Sequence, residues 1–325
     1  MALVEKWYDP HWKLETHPMH SYTTDAIILK RFNLGEADRV LTLLTRDRGR
    51  VSAIGRGIRR TKSRLGGHLE LFSHSQLGLS EGRTFDTITS ADLVEPHTGL
   101  STFIERVNAA HYVAEAVLKL TVDEQIVDRL FELVAATFAQ LAKTSETAAL
   151  LAGFQLKLLA LLGHQPTLDR CVHCREKFQG SEPAPLVIPD WNSDPVSEAQ
   201  VPESSNTWIL DPDSRSVIGI RSRMTDKDKG IARVVAGFDS VHGGLVCREC
   251  LATLHHPIVS CDQAGQACLR RLLLEPLGEA RSTAAGFRTA GRVIEQALLT
   301  QTERPLKSRA FVELVPVIPL VSSRT

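Results

Sequence analysis

Two Cys-x-x-Cys pairs, Cys171 with Cys174 and Cys247 with Cys250, constrain this chain more than any other feature, because four thiolates offered as two close pairs match a tetrahedral structural zinc site. Four sulfurs at about 2.3 Å fill the shell of one Zn²⁺ and leave no position for water or substrate, so the site is expected to hold structure, with one ion per chain. Between Cys174 and Cys247 lie 72 residues, far more than the roughly 15 to 20 of a compact zinc ribbon. Lengthening a closed loop fourfold costs only about 1.2 kcal/mol of entropy, whereas a structural zinc contributes on the order of 10 kcal/mol or more. An insertion between the pairs is therefore compatible with a single ion. The spacing leaves open two independent redox dithiols, chance, or a histidine (His173, His242 or His255) replacing one cysteine as ligand.

At 325 residues and 43% hydrophobic content, the chain has room for two domains, each with a core of its own. Its longest apolar runs, such as that around residues 156–162, fall well short of the roughly 18 residues a spanning helix needs, and its amino terminus is too polar for a secretory signal. The expectation is a cytoplasmic protein of bacterial type, with no membrane partner. Six cysteines in that setting favour reduced thiols and metal over disulfides. Cys261 and Cys268, beside an amphipathic pattern, read as buried or idle.

The formal net charge is zero, from 38 Lys+Arg and 38 Asp+Glu, but residues 23–90 hold 12 basic against 7 acidic side chains, net +5. The density peaks over residues 46–64, where Arg46, Arg48, Arg50, Arg56, Arg59, Arg60, Lys62 and Arg64 are opposed only by Asp47. Around this tract the pattern is one of short β-rich runs, at residues 26–29, 40–45, 51–54, 69–79 and 85–93, punctuated by glycines. Five strands in so short a span suit a small closed barrel of the OB type, because closure removes exposed edges. After Gly99 the period becomes helical. Phe103, Val107, Ala110, Ala114 and Val117 form one stripe, and Ile126, Leu130, Leu133, Val134, Phe138 and Leu141 a second. A third helix is expected over residues 146–162, delivering the chain to Cys171, and further helices over 265–274 and 284–300. Residues 180–206 are rich in Pro, Ser, Asp and Glu and read as an excursion.

A search for catalytic motifs finds no Walker loop, nucleophile elbow, His-Glu-x-x-His helix or dinucleotide fingerprint. Glu36 and Asp38 flank Arg39 and read as salt-bridged surface residues. The basic tract is more informative. Its arginines lie on and between strands, and arginine presents a planar fork to phosphate oxygens. A barrel groove so lined tracks a nucleic-acid strand without reading its sequence, with Lys30, Arg39, Arg56, Arg59, Arg60, Lys62 and Arg64 as candidate contacts. Aromatics near the tract are few, chiefly Phe32, Phe72 and Phe85, so electrostatics should outweigh base stacking.

The order of these parts resembles the RecO family of recombination mediators, over residues 22–312. The carriers are residues 24–30 (TDAIILK), the turn 35–39 (GEADR) leading into 40–45 (VLTLLT), the strand from Gly49 to Gly57, and 63–65 (SRL). Residues 162–166 (LGHQP) before 171–174 (CVHC), then 243–250 (GGLVCREC) and the closing 303–309 (ERPLKSR), extend it. The resemblance implies an α+β architecture: an N-terminal five-stranded OB-fold barrel, then an α-helical domain carrying a four-cysteine zinc site. It further implies a non-enzymatic protein of the RecFOR pathway that binds single- and double-stranded DNA and anneals complementary strands. Such a protein contacts the acidic tail of the single-strand binding protein SSB, and acts with RecR, in some members with RecF, to load RecA. The expected organisation is an extension over 1–21, a DNA-binding barrel over 22–97, a helical domain over 98–312 with an acidic insert at about 180–238, and a tail over 313–325. For the SSB tail, His111, Lys119 and Arg129 are candidate rim cations around an apolar notch. The competing readings are a zinc-containing OB-fold protein acting on RNA in translation or ribosome assembly, and a metalloenzyme in which one cysteine leaves the zinc shell.

Overall fold

Residues 20–60, 63, 65–144, 146–179, 207–210, 217–220 and 233–313 are described by a computed structural model. They fall into two units, one closing at Pro96 and the other opening at His97. In the first, alternation of apolar and polar residues yields β1 (Ser21–Leu34), β2 (Asp38–Thr45), β3 (Gly49–Gly55), β4 (His74–Ser80) and β5 (Asp86–Glu95). They pair in the order β1-β2-β3-β5-β4, and β4 returns to β1, so the sheet closes into the five-stranded OB-type barrel. Ala26, Ile28, Leu41, Leu43, Leu77 and Leu79 fill its interior from alternate positions of three strands. The fourth strand is shorter than the apolar run suggests, because it begins only at His74, and Phe72 and Ser73 bond β1 outside its ladder. A register shift between Ile28 and Lys30 frees the Ile28 backbone, which bonds Phe72 N and Ser73 O at 2.9 and 3.2 Å.

The second unit opens with α1 (Ile104–Leu120), α2 (Leu130–Leu141) and α3 (Thr147–Leu161). Both expected stripes start too early. Phe103 is an exposed, extended N-cap, and Ile126 stands in the connection before α2, which begins only after Arg129 adopts a left-handed φ of 59°. The chain then makes the hairpin β6 (Thr207–Leu210) with β7 (Val217–Ile220), and β8 (Val235–Asp239) and β9 (Gly244–Cys247). After α4 (Arg248–Leu251), β10 (Val259–Ser260) completes a three-stranded sheet in the order β10-β8-β9, and α5 (Gln263–Leu274), α6 (Ala284–Thr302) and α7 (Arg309–Glu313) follow. Asp262 and Thr283 cap α5 and α6 by accepting the N–H of Gly265 and Gly286. The closing segment docks on α1, where the Glu115 carboxylate accepts the N–H of Lys307 and Ser308 at 2.8 and 2.7 Å.

The insert leaves and re-enters at one point. Gln179 N donates to Arg233 O, and Arg233 N to Lys177 O, both at 3.0 Å, so the two ends are zipped together whatever lies between them. The bulk of that insert, residues 1–19 of the extension, residues 314–325 of the tail, and Lys62 and Arg64 lie outside the described residues.

Lys157 of α3 is fully buried, and its Nζ donates to the carbonyls of Leu273 and Glu275 at 2.7 and 2.8 Å, satisfying the C-terminal end of α5. Burial draws its pKa down to about 7, against the opposing pull of Glu275. Between that value and the ordinary lysine range near pH 10, the unfolded chain holds a proton that the folded chain has released, so stability rises with pH across the window. Lys157→Met removes this titration and orphans two carbonyls. The stability advantage of the parent over the variant, measured by urea unfolding, is expected to be larger at pH 9 than at pH 6.5, growing by up to about 1 kcal/mol per pH unit. An advantage that is flat or shrinks with pH would contradict this assignment.

Candidate metal centre and nucleic-acid interface

The cysteine pairs are brought together by backbone ladders rather than by sequence proximity. Residues 167–172 lie against β9, with Thr167 N donating to Gly243 O at 3.0 Å, Leu245 N to Thr167 O at 2.9 Å and Val172 N to Leu245 O at 3.0 Å. This approach requires Gly244, since a Cβ there would sit 2.3 Å from Val172 Cγ1 and 2.8 Å from Thr167 Cβ. The first pair thus lands beside the end of β9, where Cys247 caps the short α4 that carries Cys250. All four Sγ atoms lie within 4.8 Å of one another.

Two independent dithiols are excluded by that convergence, and no histidine is needed as a substitute ligand. His173 and His242 turn instead to Asp239, and His255 is exposed. The fit to a metal ion is direct. Cys174 Sγ and Cys247 Sγ are 3.8 Å apart, and a tetrahedron with metal–sulfur bonds of about 2.3 Å has an edge of about 3.8 Å. Cys171 and Cys247 are fully buried, and the N–H of Cys247 and of Cys250 point at the sulfurs of Cys171 and Cys247, both at 3.4 Å. Burial opposes ionisation of Cys171, but the N–H groups of Cys174, Cys247 and His173 outweigh it and bring the thiol down to about 7. Burial pushes Cys247 and Cys250 the other way. Ionising four crowded sulfurs concentrates negative charge that a dication would neutralise. The four cysteines could therefore hold a metal ion. Cys261 and Cys268 are buried elsewhere, and burial pushes Cys261 up to about 12.

At the barrel, the fold alters the charge count. Arg46 pairs with Asp25 at 3.3 Å, and Arg48 pairs with Glu81 while stacking 3.8 Å over the ring of Tyr22. Acids from other strands thus offset the start of the basic tract. Its later part is held together at one end of the barrel. Asp38, far from bridging Arg39, accepts Gly57 N at 2.7 Å, Arg59 N donates to Ala37 O at 3.0 Å, and the Arg59 guanidinium donates to Gly35 O at 3.0 Å. The β1–β2 turn and the loop leaving β3 therefore form one platform that carries Arg39, Arg56, Arg59 and Arg60. Arg39 donates to Asn33 Oδ1 at 3.1 Å, on the face of the hairpin opposite Lys30, which shares its side with Phe32 and Leu34. Phe32 is half exposed, whereas Phe72 is buried and no platform for a base.

Comparison with known proteins adds an independent observation. The family description "Recombination protein O N terminal" matches residues 19–97, and "Recombination protein O C terminal" matches residues 102–203. A DNA repair protein RecO from Pelotomaculum thermopropionicum is 30% identical over 298 residues, covering 91% of this chain and 94% of that protein. Proteins of the same name from Nocardioides sp. and Dehalococcoides mccartyi are 40% and 33% identical over 47% and 49% of this chain. Those two alignments span 64% and 63% of the relatives' own lengths, less than two thirds.

Proposed function

The chain belongs to the RecO family, and from that premise we propose that it acts in DNA repair and recombination as a mediator without catalytic chemistry of its own. It binds single- and double-stranded DNA, anneals complementary strands and, with RecR, helps load RecA onto SSB-coated DNA. The observation that carries this reading is the platform of Arg39, Arg56, Arg59 and Arg60 on a closed barrel. Guanidinium groups gathered at one end of an OB-type barrel suit a phosphate backbone read by charge. Lys30, on the other face of the β1–β2 hairpin, is a further candidate phosphate contact, as are Lys62 and Arg64 by sequence. Annealing needs only that two strands be held and their charge screened, so no nucleotide hydrolysis enters.

We assign Zn²⁺ to the four sulfurs, because a closed all-thiolate tetrahedron suits that ion and leaves no open coordination position. Its role is to clamp residues 171–174 to β9 and α4, which also argues against metalloenzyme chemistry there.

For the SSB tail, an acidic and hydrophobic-ended peptide, the second unit offers exposed Val122 and Ile126 in the segment between Lys119 and Arg129, with His111 two turns back along α1. Such a contact combines apolar burial with charge pairing and should weaken only moderately with salt. The test is ATP-free annealing of complementary strands coated with SSB. Annealing of coated strands is expected to be abolished when SSB lacks its tail, while annealing of naked strands persists. Equal activity on coated strands with and without the tail would overturn the partner assignment. Preference for RNA over single-stranded DNA in direct competition would favour a role in translation instead.

A further inference from the structure

Next to the four sulfurs lies a second cluster that the RecO reading does not use. Asp239, at the end of β8, is fully buried. Its Oδ1 accepts the N–H of Val241 and His242 at 2.9 and 3.3 Å, which fixes the carboxylate in the β8–β9 turn. Its Oδ2 is ringed by three imidazole nitrogens: His173 Nε2 at 2.8 Å, His242 Nδ1 at 2.8 Å and His256 Nε2 at 3.0 Å. The rings of His173 and His242 meet edge to face at 4.7 Å.

Hydrogen bonding does not satisfy this arrangement. A carboxylate oxygen offers two lone pairs, and three donors converge on one such atom. His256 Nε2 is the one left over: the atom is buried, on a side chain 32% exposed, and its 3.0 Å approach to Oδ2 is an ion-pair contact without good hydrogen-bond geometry. An orphaned buried nitrogen is costly, and a native structure normally supplies a partner for it. A cation at the centre of the cluster would supply one, by taking a lone pair from each imidazole and one from Oδ2. In a tetrahedral shell with bonds of about 2.0–2.1 Å, neighbouring ligand atoms stand about 3.3 Å apart. The ligand atoms of His173, Asp239 and His242 all lie within 4.8 Å of one another, and the two 2.8 Å spacings to Oδ2 reach that edge with shifts of about half an ångström.

We propose that His173, Asp239 and His242, with His256 swinging in from its contact with Asp239 to complete the shell, form a second metal site, distinct from the four sulfurs, that takes a divalent transition-metal ion of the zinc class. Three imidazoles and a carboxylate are borderline donors that suit zinc, cobalt or nickel over magnesium or calcium. The ligands come from the 171–174 loop, the end of β8, the β8–β9 turn and the segment after α4. The ion would therefore fasten the far end of the β8–β9 hairpin, as the sulfurs fasten its near end. With four protein ligands the shell is closed, which makes the site a clasp.

The test is Co²⁺ titration of tag-free, full-length protein stripped of metal under reducing conditions, because cobalt bound by thiolates has an intense charge-transfer absorption that cobalt bound by imidazole and carboxylate lacks. Two equivalents are expected, one with the thiolate band and one with only weaker ligand-field absorption. In His242→Ala/His256→Ala the thiolate band should persist, which shows that the sulfur site has formed, while the second equivalent is lost. The milder His256→Gln should weaken the second equivalent at least tenfold and leave the first unchanged. Binding of a single equivalent by the parent protein, or a second equivalent that survives in the double variant, would overturn the proposal.

Discussion

Cys174→Ser and Cys250→Ser are each expected to cost the protein one equivalent of metal, lower its solubility and reduce its melting temperature by roughly 5–15 °C. The size follows from what the site joins. The sulfurs bring residues 171–174 to β9 and α4 across 72 intervening residues, so an ion held by them would clamp these two parts of the second unit together. A complete structural zinc site contributes on the order of 10 kcal/mol or more, but with the ion lost the backbone ladder between residues 167–172 and β9 still holds the two parts together. The net loss is therefore set nearer the roughly 2–5 kcal/mol of a lost disulfide, at about 2–4 °C per kcal/mol for a domain of this size. Cys174 is the cleaner of the two positions, because it is exposed and serine leaves no cavity there, whereas Cys171 and Cys247 are fully buried. DNA binding by the barrel should suffer less than folding. Elemental analysis with a thermal melt decides the matter, and a variant that keeps both its full metal content and its melting temperature would remove the clamp.

The barrel was legible because period-two alternation and glycine turns are local signals, and the sulfur site because Cys-x-x-Cys is specific enough to survive a long insertion. What escaped depends on contacts between distant residues. Asp47 looks like the only acid near the basic tract, yet Asp25 and Glu81 reach Arg46 and Arg48 across the sheet. The stripe through Ile126 fails because Arg129 turns left-handed, and no periodicity reports a backbone angle. The three-stranded sheet went unseen because β9 and β10 span only four and two residues, too short for a period to register. His255 and His256 differ by one position, but only the second faces Asp239. Choosing between neighbours requires knowing which way the backbone points.

Charge reversal on the barrel should separate the arginines that contact DNA from those already neutralised. Four to six phosphate contacts would give a log-log salt slope of roughly −3 to −4 on single strands, at about −0.7 per contact. Arg39→Glu/Arg56→Glu/Arg60→Glu removes three of them, so the slope should flatten by about 2 and affinity at low salt should fall on the order of 100-fold, on every sequence alike. Arg59 is left in place because its guanidinium bonds Gly35 O at 3.0 Å and helps hold the platform, so changing it would mix folding with binding. The control is Arg46→Gln, whose parent side chain is engaged with Asp25 at 3.3 Å and which should leave binding within about twofold, because an exposed, paired charge is worth little to a third partner. Fluorescence anisotropy across a salt series reads both numbers. A triple variant that binds as tightly as the parent, with the same slope, would move the DNA site off this end of the barrel, and an equal loss in Arg46→Gln would mean that net charge alone, with no localised platform, governs binding.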